Sequence, residues 1–308
     1  MEAQTTSIAL VAGGSRGLGL LIADRLLRLG HSVVICARDE QELQLAVQQL
    51  ELSGPVMAKV CDVTDAEACT RLVSEVEAEL GPVEVLITVA GVIQVGPLEA
   101  VTREHFREAI DIMTWGPINM AWAALEGMRS RGHGRIGTVT SVGGLVSPPH
   151  LLPYAVAKFG AVGFSEGLSA ALGGTGVTST TIAPGLMRTG SHERATFVGD
   201  QAKEFAWFGP AASLPILSMD AERAARIIVD GVLAGRAHVL VGWLPKVAVR
   251  VHGLLPSLTV RAMGLANRLL PRGGRGAEAE GRDLPHGGLV SLLTTLGARA
   301  ARRNNEQP

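Results

Sequence analysis

Ser7-Ile8-Ala9-Leu10-Val11-Ala12-Gly13-Gly14-Ser15-Arg16-Gly17-Leu18-Gly19-Leu20 is the stretch that decides the fold. Its first residues are uncharged and mostly aliphatic, as in a buried strand; glycines follow, and then an apolar run with helical spacing to Leu29. A strand feeding a helix through a glycine turn exposes the free N–H groups of the helix start, which favour an anion such as a pyrophosphate. Gly13, Ser15, Arg16, Gly17, Leu18 and Gly19 are therefore candidate dinucleotide ligands.

The same alternation continues outward. Ser32–Cys36, Val56–Cys61, Val83–Val89, Gly134–Thr140, Thr178–Ala183 and Ala237–Gly242 read as further buried strands. Between them Glu40–Leu50, Asp65–Leu80, Arg103–Arg129 and Tyr154–Leu172 carry helical periodicity. Seven strands interleaved with helices predict an α/β fold with a doubly wound parallel sheet, whose ligands lie beyond the carboxyl ends of the strands.

Composition agrees with one large core plus an appendage. Hydrophobic residues make up 47% of the 308 positions and glycine 38 of them, enough for a big interior with many tight turns. The 29 acidic and 28 basic side chains nearly cancel, which argues against a nucleic-acid partner. Cys36, Cys61 and Cys69 lack the close paired spacing of a metal or redox site, so buried reduced thiols and no metal are expected. The first residues show no basic n-region or cleavage signature, so a cytoplasmic location is expected rather than secretion.

The end of the second strand speaks to the cofactor. An acidic residue there commonly holds the ribose of NAD, whereas arginine accommodates the 2′-phosphate of NADP. The chain reads Cys36-Ala37-Arg38, with Arg16 inside the glycine turn, and two guanidinium forks suit a phosphate. Asp62-Val63, after the third strand, is placed to meet the adenine, or Asp62 simply caps the next helix.

Ser141 follows the strand Gly134–Thr140, and Tyr154 and Lys158 lie one turn apart on a helix. A neighbouring ammonium favours the phenolate form of a tyrosine. Tyr154 can therefore exchange a proton with a carbonyl oxygen that gains negative charge, while Ser141 donates a hydrogen bond. Tyr154 is the only tyrosine in the chain.

In this order the motifs resemble the short-chain dehydrogenase/reductase superfamily, over roughly Thr5 to Val241. The resemblance rests on the glycine turn, Arg38, Asp62-Val63, Ala90-Gly91, Ser141, Tyr154, Lys158 and Pro184-Gly185. It implies a Rossmann fold and an NADP(H)-dependent oxidoreductase that interconverts a ketone or aldehyde and its alcohol, assembled as a homo-oligomer. It further implies that Tyr154 and Lys158 border the cofactor, Lys158 holding the nicotinamide ribose. Ala90 and Gly91 would lie beside the dinucleotide, Pro184 and Gly185 would flank the nicotinamide, and Thr189 would contact the carboxamide or phosphates.

Three positions depart from the family pattern. Ala12 replaces a threonine, Thr88-Val89 replaces Asn-Asn, and Met113 stands where the family places an asparagine. The family's asparagine is thought to hold a water in the proton relay, and a thioether cannot donate a hydrogen bond. A slower relay is expected, and the alternative is a cofactor-binding protein with little catalysis that acts through its C-terminal helices.

The domain reading is a catalytic unit over 1–242 with a substrate lid at 186–219, an apolar and basic helical extension over 243–271, and a flexible Gly/Arg-rich tail over 272–308 with a short helix from Leu289 to Arg303. Four of the few aromatic residues, Phe197, Phe205, Trp207 and Phe208, fall in the lid. They either wall a hydrophobic carbonyl or alcohol substrate or anchor the lid to the core. His192, Glu193 and Arg194 are candidate polar substrate contacts, set against the usual solvated lid charges. Arg261 and Arg268 share a face of the extension, so it lies on an anionic membrane surface, covers a lipophilic substrate mouth, or packs on the core or a subunit interface.

Overall fold

The computed structural model describes residues 7–273, 278–285 and 287–306; Thr5, Thr6 and parts of the expected flexible stretch after Arg272 lie outside them. Strand β1 (Ile8–Ala12) leads through the glycine turn into helix α1 (Gly17–Arg28), followed by β2 (Ser32–Ala37), α2 (Glu40–Leu50), β3 (Val56–Val60) and α3 (Ala66–Glu79). The chain continues with β4 (Val83–Thr88), the short β5 (Gln94–Val95), α4 (Arg103–Ile110), α5 (Gly116–Arg131), β6 (Gly134–Val139) and α6 (Leu152–Ala171). Strand β7 (Val177–Pro184) opens the lid, which holds β8 (Met187–Arg188), β9 (Thr196–Phe197), α7 (Gln201–Ser213) and β10 (Met219–Asp220). Helix α8 (Ala221–Leu233) and β11 (His238–Val241) precede α9 (Trp243–Leu254), α10 (Pro256–Asn267), β12 (Ala279–Glu280) and α11 (Gly288–Arg303).

Seven strands form one parallel sheet in the order β3-β2-β1-β4-β6-β7-β11. The expected doubly wound sheet is therefore present, with strand limits within a residue or two of the sequence reading. Alternate residues of β1 serve opposite faces. Ala9 and Val11 join Leu26, Ile228 and Val232 of α1 and α8, whereas Ile8, Leu10 and Ala12 join Leu72, Val76 and Met120 of α3 and α5. Each fully buried leucine or isoleucine in these layers contributes roughly 1.5–3 kcal/mol. Connections reverse direction between β1 and β4, which opens a crevice at their carboxyl ends.

Helix starts differ in a way that matters for the site. Asp39 caps α2 by accepting from the Glu42 N–H at 2.9 Å, and Asp65 caps α3 by accepting from Glu67 and Ala68. At the start of α1 the capping position is Arg16, whose side chain does not cap, so the helix lacks that internal partner.

Two sequence expectations change, and one open alternative is settled. The single helix expected over Arg103–Arg129 is broken by a π-helical turn, Asp111–Trp115, between α4 and α5. The lid aromatics anchor: Phe197, Phe205 and Phe208 are buried together with Val95, Ala195 and Leu284. The terminal helix expected over Leu289–Arg303 is present as α11, but the stretch before it, expected to be flexible, contributes β12, which pairs with β9, while α11 packs along α7. Leu284 and Val290 supply apolar surface that the lid needs to close its own small core. Cys36, Cys61 and Cys69 are free and buried. Among the described residues no helix is long and apolar enough to cross a membrane.

Candidate active site

The glycine turn lies at the carboxyl end of β1, against the neighbouring strands. The Gly13 N–H donates to Cys36 O at 2.8 Å, and the Ala12 carbonyl accepts from Val89 and Ala90 of the segment after β4. Ala90 thus stands directly beside Gly13. A Cβ at Gly19 would fall inside the van der Waals radius of the Gly13 carbonyl, so α1 approaches the turn closely only because position 19 has no side chain. A helix start without a side-chain cap, beneath a glycine turn at the switch point, is the kind of place where a dinucleotide's phosphates bind.

Arg38 is exposed and has neither a hydrogen bond nor an ion pair among the described residues. It lines a cleft of about 350 Å³ with Asp62, Thr64 and Ile112, whose rim also carries Glu104, Glu108 and Asp111. Asp62 does not cap α3, which Asp65 does; its carboxylate accepts from the Thr64 N–H and hydroxyl, both at 2.9 Å. Val63 is buried in the core layer beneath. Arg16 does not line that cleft and joins an ion network: it pairs with Glu306, and its Nε lies 3.3 Å from Glu42. Burial works against the Arg16 charge, but the two carboxylates outweigh it and hold its pKa above the usual value.

The catalytic candidates converge where β6 ends. Thr140 is pinned to β7, its N–H and hydroxyl both 2.7 Å from Ile182 O. Ser141 follows in extended backbone and heads a short 3-10 turn, its Oγ accepting from the Gly143 N–H at 3.0 Å. That acceptor role leaves the serine proton to donate outward, on the side where the Tyr154 ring and Ser141 Oγ both border Gly143, 3.2 and 3.4 Å from where a Cβ there would stand. The turn can press against α6 because position 144 lacks a side chain: a Cβ there would lie 2.6 Å from Lys158 O. Gly143-Gly144 is a signal the sequence reading passed over.

Lys158 is 4% exposed and donates to Val139 O at 2.8 Å, tying α6 to the end of β6. Its Nζ stands 5.8 Å from the centre of the Tyr154 ring. Burial lowers its pKa to about 8. Burial also raises the Tyr154 pKa, and the hydrogen bond from Ser141 partly opposes the rise. Met113 is fully buried on the π-helical turn and packs with Ala109, Ile112, Ala157 and Tyr154. Its sulfur and Lys158 Nζ both border Gly91, 3.3 and 3.8 Å from where a Cβ there would stand.

Pro184 ends β7, and the Gly185 N–H donates to Val241 O at 3.1 Å. Pro245 of α9 packs onto Gly185, so the extension begins at this edge of the site. Thr189 is buried, and its carbonyl accepts from Asn304 Nδ2 at 3.0 Å. The polar lid residues are not solvated: His192 and Glu193 are buried, and Arg194 donates to Glu42 at 2.8 Å and to the Glu306 carbonyl at 2.8 Å. Among the described residues no cluster of His, Cys, Asp and Glu could hold a metal.

A parallel α/β sheet with a phosphate-type cradle at its switch point, and a serine, tyrosine and lysine gathered two strands away, defines a nucleotide-dependent oxidoreductase. Comparison narrows that class. The sequence model of the short chain dehydrogenase family matches residues 7–196. A putative ketoacyl reductase of Streptomyces coelicolor is 32% identical over 252 residues, 78% of this chain and 97% of the relative. An acetoacetyl-CoA reductase of Rhizobium meliloti is 34% identical over 59% of this chain and 74% of its own length. Among solved structures, a short-chain dehydrogenase from Streptomyces avermitilis superposes with TM-score 0.75 at 25% identity, covering 86% of this chain and 98% of its own. A variant of actinorhodin polyketide ketoreductase with NADPH gives TM-score 0.68 at 28% identity, over 78% and 97%.

The chain belongs to the short-chain dehydrogenase family. It is an oxidoreductase acting on CH–OH groups, an NAD(P)-dependent carbonyl reductase.

Proposed function

We propose that the protein is an NADPH-dependent reductase of a hydrophobic ketone, with 3-ketoacyl thioesters as the substrate class to test first. The observation that carries the reading is the convergence of the Ser141 hydroxyl and the Tyr154 ring on Gly143, 3.4 and 3.2 Å from where a Cβ there would stand, with Lys158 buried behind them at the end of β6. The names of the relatives, ketoacyl reductases and an acetoacetyl-CoA reductase, support the substrate class. NADP is favoured by Arg38 after β2 and by Asp39, whose carboxylate is committed to capping α2 and does not serve as the acid that NAD would need.

When bound, the cofactor supplies a hydride to the carbonyl carbon. Ser141 donates a hydrogen bond to the carbonyl oxygen, and Tyr154 delivers the proton that makes it a hydroxyl. Lys158 holds positive charge behind the phenol, and in this reading it also binds the nicotinamide ribose. Gly13, Ser15, Gly17, Leu18 and Gly19 hold the pyrophosphate, with Ala90, Gly91, Pro184, Gly185 and Thr189 along the remaining length. Fluorescence titration is expected to show NADPH binding about tenfold or more tighter than NADH, the worth of a charge-assisted contact to the extra phosphate. NADPH oxidation should then follow with acetoacetyl-CoA or a longer 3-ketoacyl thioester.

Met113 favours a second reading, a cofactor-binding protein with weak catalysis, because a buried thioether beside Lys158 offers no donor to a proton relay. NADPH binding without oxidation by any ketone would support it. Met113→Asn is expected to raise turnover several-fold and to change its pH profile; identical profiles would show that the position has no bearing on proton supply.

Two surfaces support the expected partners. Helix α10 and its end expose Leu258 (58%), Leu265 (60%) and Leu269 (89%) alongside Arg261 and Arg268, a pattern suited to an anionic lipid surface. Truncation at Gly242 is a poor test, since it strips β12 and α11 from the lid. The double variant Arg261→Glu, Arg268→Glu should instead lose several-fold in co-sedimentation with phosphatidylserine vesicles; unchanged partitioning would remove the membrane reading. Separately, Trp122, Val156 and Phe159 are exposed on α5 and α6, which supports a homo-oligomer. Light scattering should give the mass of a dimer or tetramer, and a monomer mass would contradict it.

A further inference from the structure

The C-terminal segment lies across the proposed pyrophosphate cradle of its own chain. The Gly17 N–H, the first donor of α1, bonds to Asn304 O at 2.8 Å. Asn305 Nδ2 donates to Ser15 O at 2.9 Å and to Glu42 O at 3.1 Å, and Asn304 Nδ2 donates to Thr189 O at 3.0 Å. The Glu306 carboxylate pairs with Arg16 and lies directly over Gly17, where any side chain would collide with it. The tail thus engages Ser15, Arg16, Gly17 and Thr189, four of the positions assigned to the dinucleotide.

These contacts are not those of a loose end. Asn304 is 0% exposed and Glu306 3% exposed, and Arg194 of the lid holds both the Glu306 carbonyl and Glu42 at 2.8 Å. With the Gly17 N–H bonded to the Asn304 carbonyl and the Glu306 carboxylate over Gly17 beside Arg16, the segment puts a backbone acceptor and a negative charge at the helix start, where a phosphate is favoured. We propose that residues Asn304–Glu306 form an autoinhibitory plug in which Glu306 stands in for a cofactor phosphate, so that NADPH must displace the tail to bind. This rests on the dinucleotide reading of the cradle.

The plug makes binding competence a population. When only a fraction of molecules has the tail released, apparent affinity is reduced by that fraction. Substitution of Glu306 loosens the plug without touching the cradle itself. Release of the tail also frees Arg16 for the cofactor, leaving Glu42 as its ion-pair partner.

The test uses the full chain, Glu306→Gln, and Asn305→Ala with Glu306→Ala, titrated with NADPH. Hydrogen exchange of the residues 304–306 amides is followed in parallel. The expected result is an NADPH Kd lowered about tenfold or more in both variants, together with faster tail exchange in the unsubstituted chain once NADPH saturates it. A lower Kd in the variants with tail protection unchanged by NADPH would overturn the plug, since removing a nearby negative charge then explains the affinity alone. Equal Kd in all three chains, or a tail more protected with NADPH bound, would also overturn it, the latter making the segment a strap over the cofactor. Absence of NADPH binding in every chain would instead overturn the dinucleotide reading beneath it.

Discussion

Tyr154→Phe is expected to lower turnover by about a thousandfold, within the range for loss of a positioned general acid, while leaving NADPH affinity within about twofold. Phenylalanine keeps the ring that packs with Met113 and Ala157 and removes only the hydroxyl that Ser141 meets. Ser141 would remain to hydrogen-bond the carbonyl oxygen but would have no proton relay behind it. No other tyrosine exists to substitute. The raised pKa of Tyr154 fixes the sign of the pH dependence. The phenol stays protonated at neutral pH, so the reductive rate is full there and falls as pH rises through that raised value, whereas alcohol oxidation gains over the same rise. The phenolate absorbance of this single tyrosine reports the titration directly. Turnover reduced less than tenfold in single-turnover NADPH oxidation would show that the proton comes from elsewhere.

Lys158→Met is expected to stabilise the protein near neutral pH while abolishing activity. The folded-state pKa of about 8 lies below the free value of 10.5, so the unfolded chain binds more protons between these values and stability rises with pH across that window. Below pH 8 the buried ammonium costs about 3 kcal/mol, from a shift of this size. Methionine avoids that cost and forfeits the bond to Val139 O, worth about 1 kcal/mol. The variant should therefore be about 2 kcal/mol more stable near neutrality. The advantage shrinks as pH climbs from 8 and has reversed by the time the pH reaches 10.5, where little of the burial cost remains to offset the lost bond. Urea unfolding of both proteins across this range checks the sign. A variant less stable at neutral pH would mean that Lys158 is better solvated or paired than its surroundings indicate.

Much of this site is readable in the sequence because its parts are local. Gly13 to Gly19 occupies one turn, Tyr154 and Lys158 one helical step, and Ser141 the end of a strand whose limits follow from burial on both faces. The π-helical turn at Met113 is invisible to a 3.6-residue period, since one extra residue within Arg103–Arg129 leaves the apolar pattern on either side intact. The lid's small sheet joins two-residue strands from Gln94, Thr196 and Ala279, too short to carry periodicity and separated by long stretches of chain. Asn304 to Glu306 has no motif at all. Its role depends on Arg16, 290 positions earlier, and on Arg194 in the lid, contacts that only the folded chain brings together.

The claim that Tyr154 serves a ketone reductase is tested most directly by following deuterium from C4-deuterated NADPH into product. With acetoacetyl-CoA and longer 3-ketoacyl thioesters, mass spectrometry of the product should find one deuterium on the new carbinol carbon, formed with the unsubstituted protein and lost with Tyr154→Phe. NADPH bound at saturation with no deuterated alcohol from any ketone offered would contradict it.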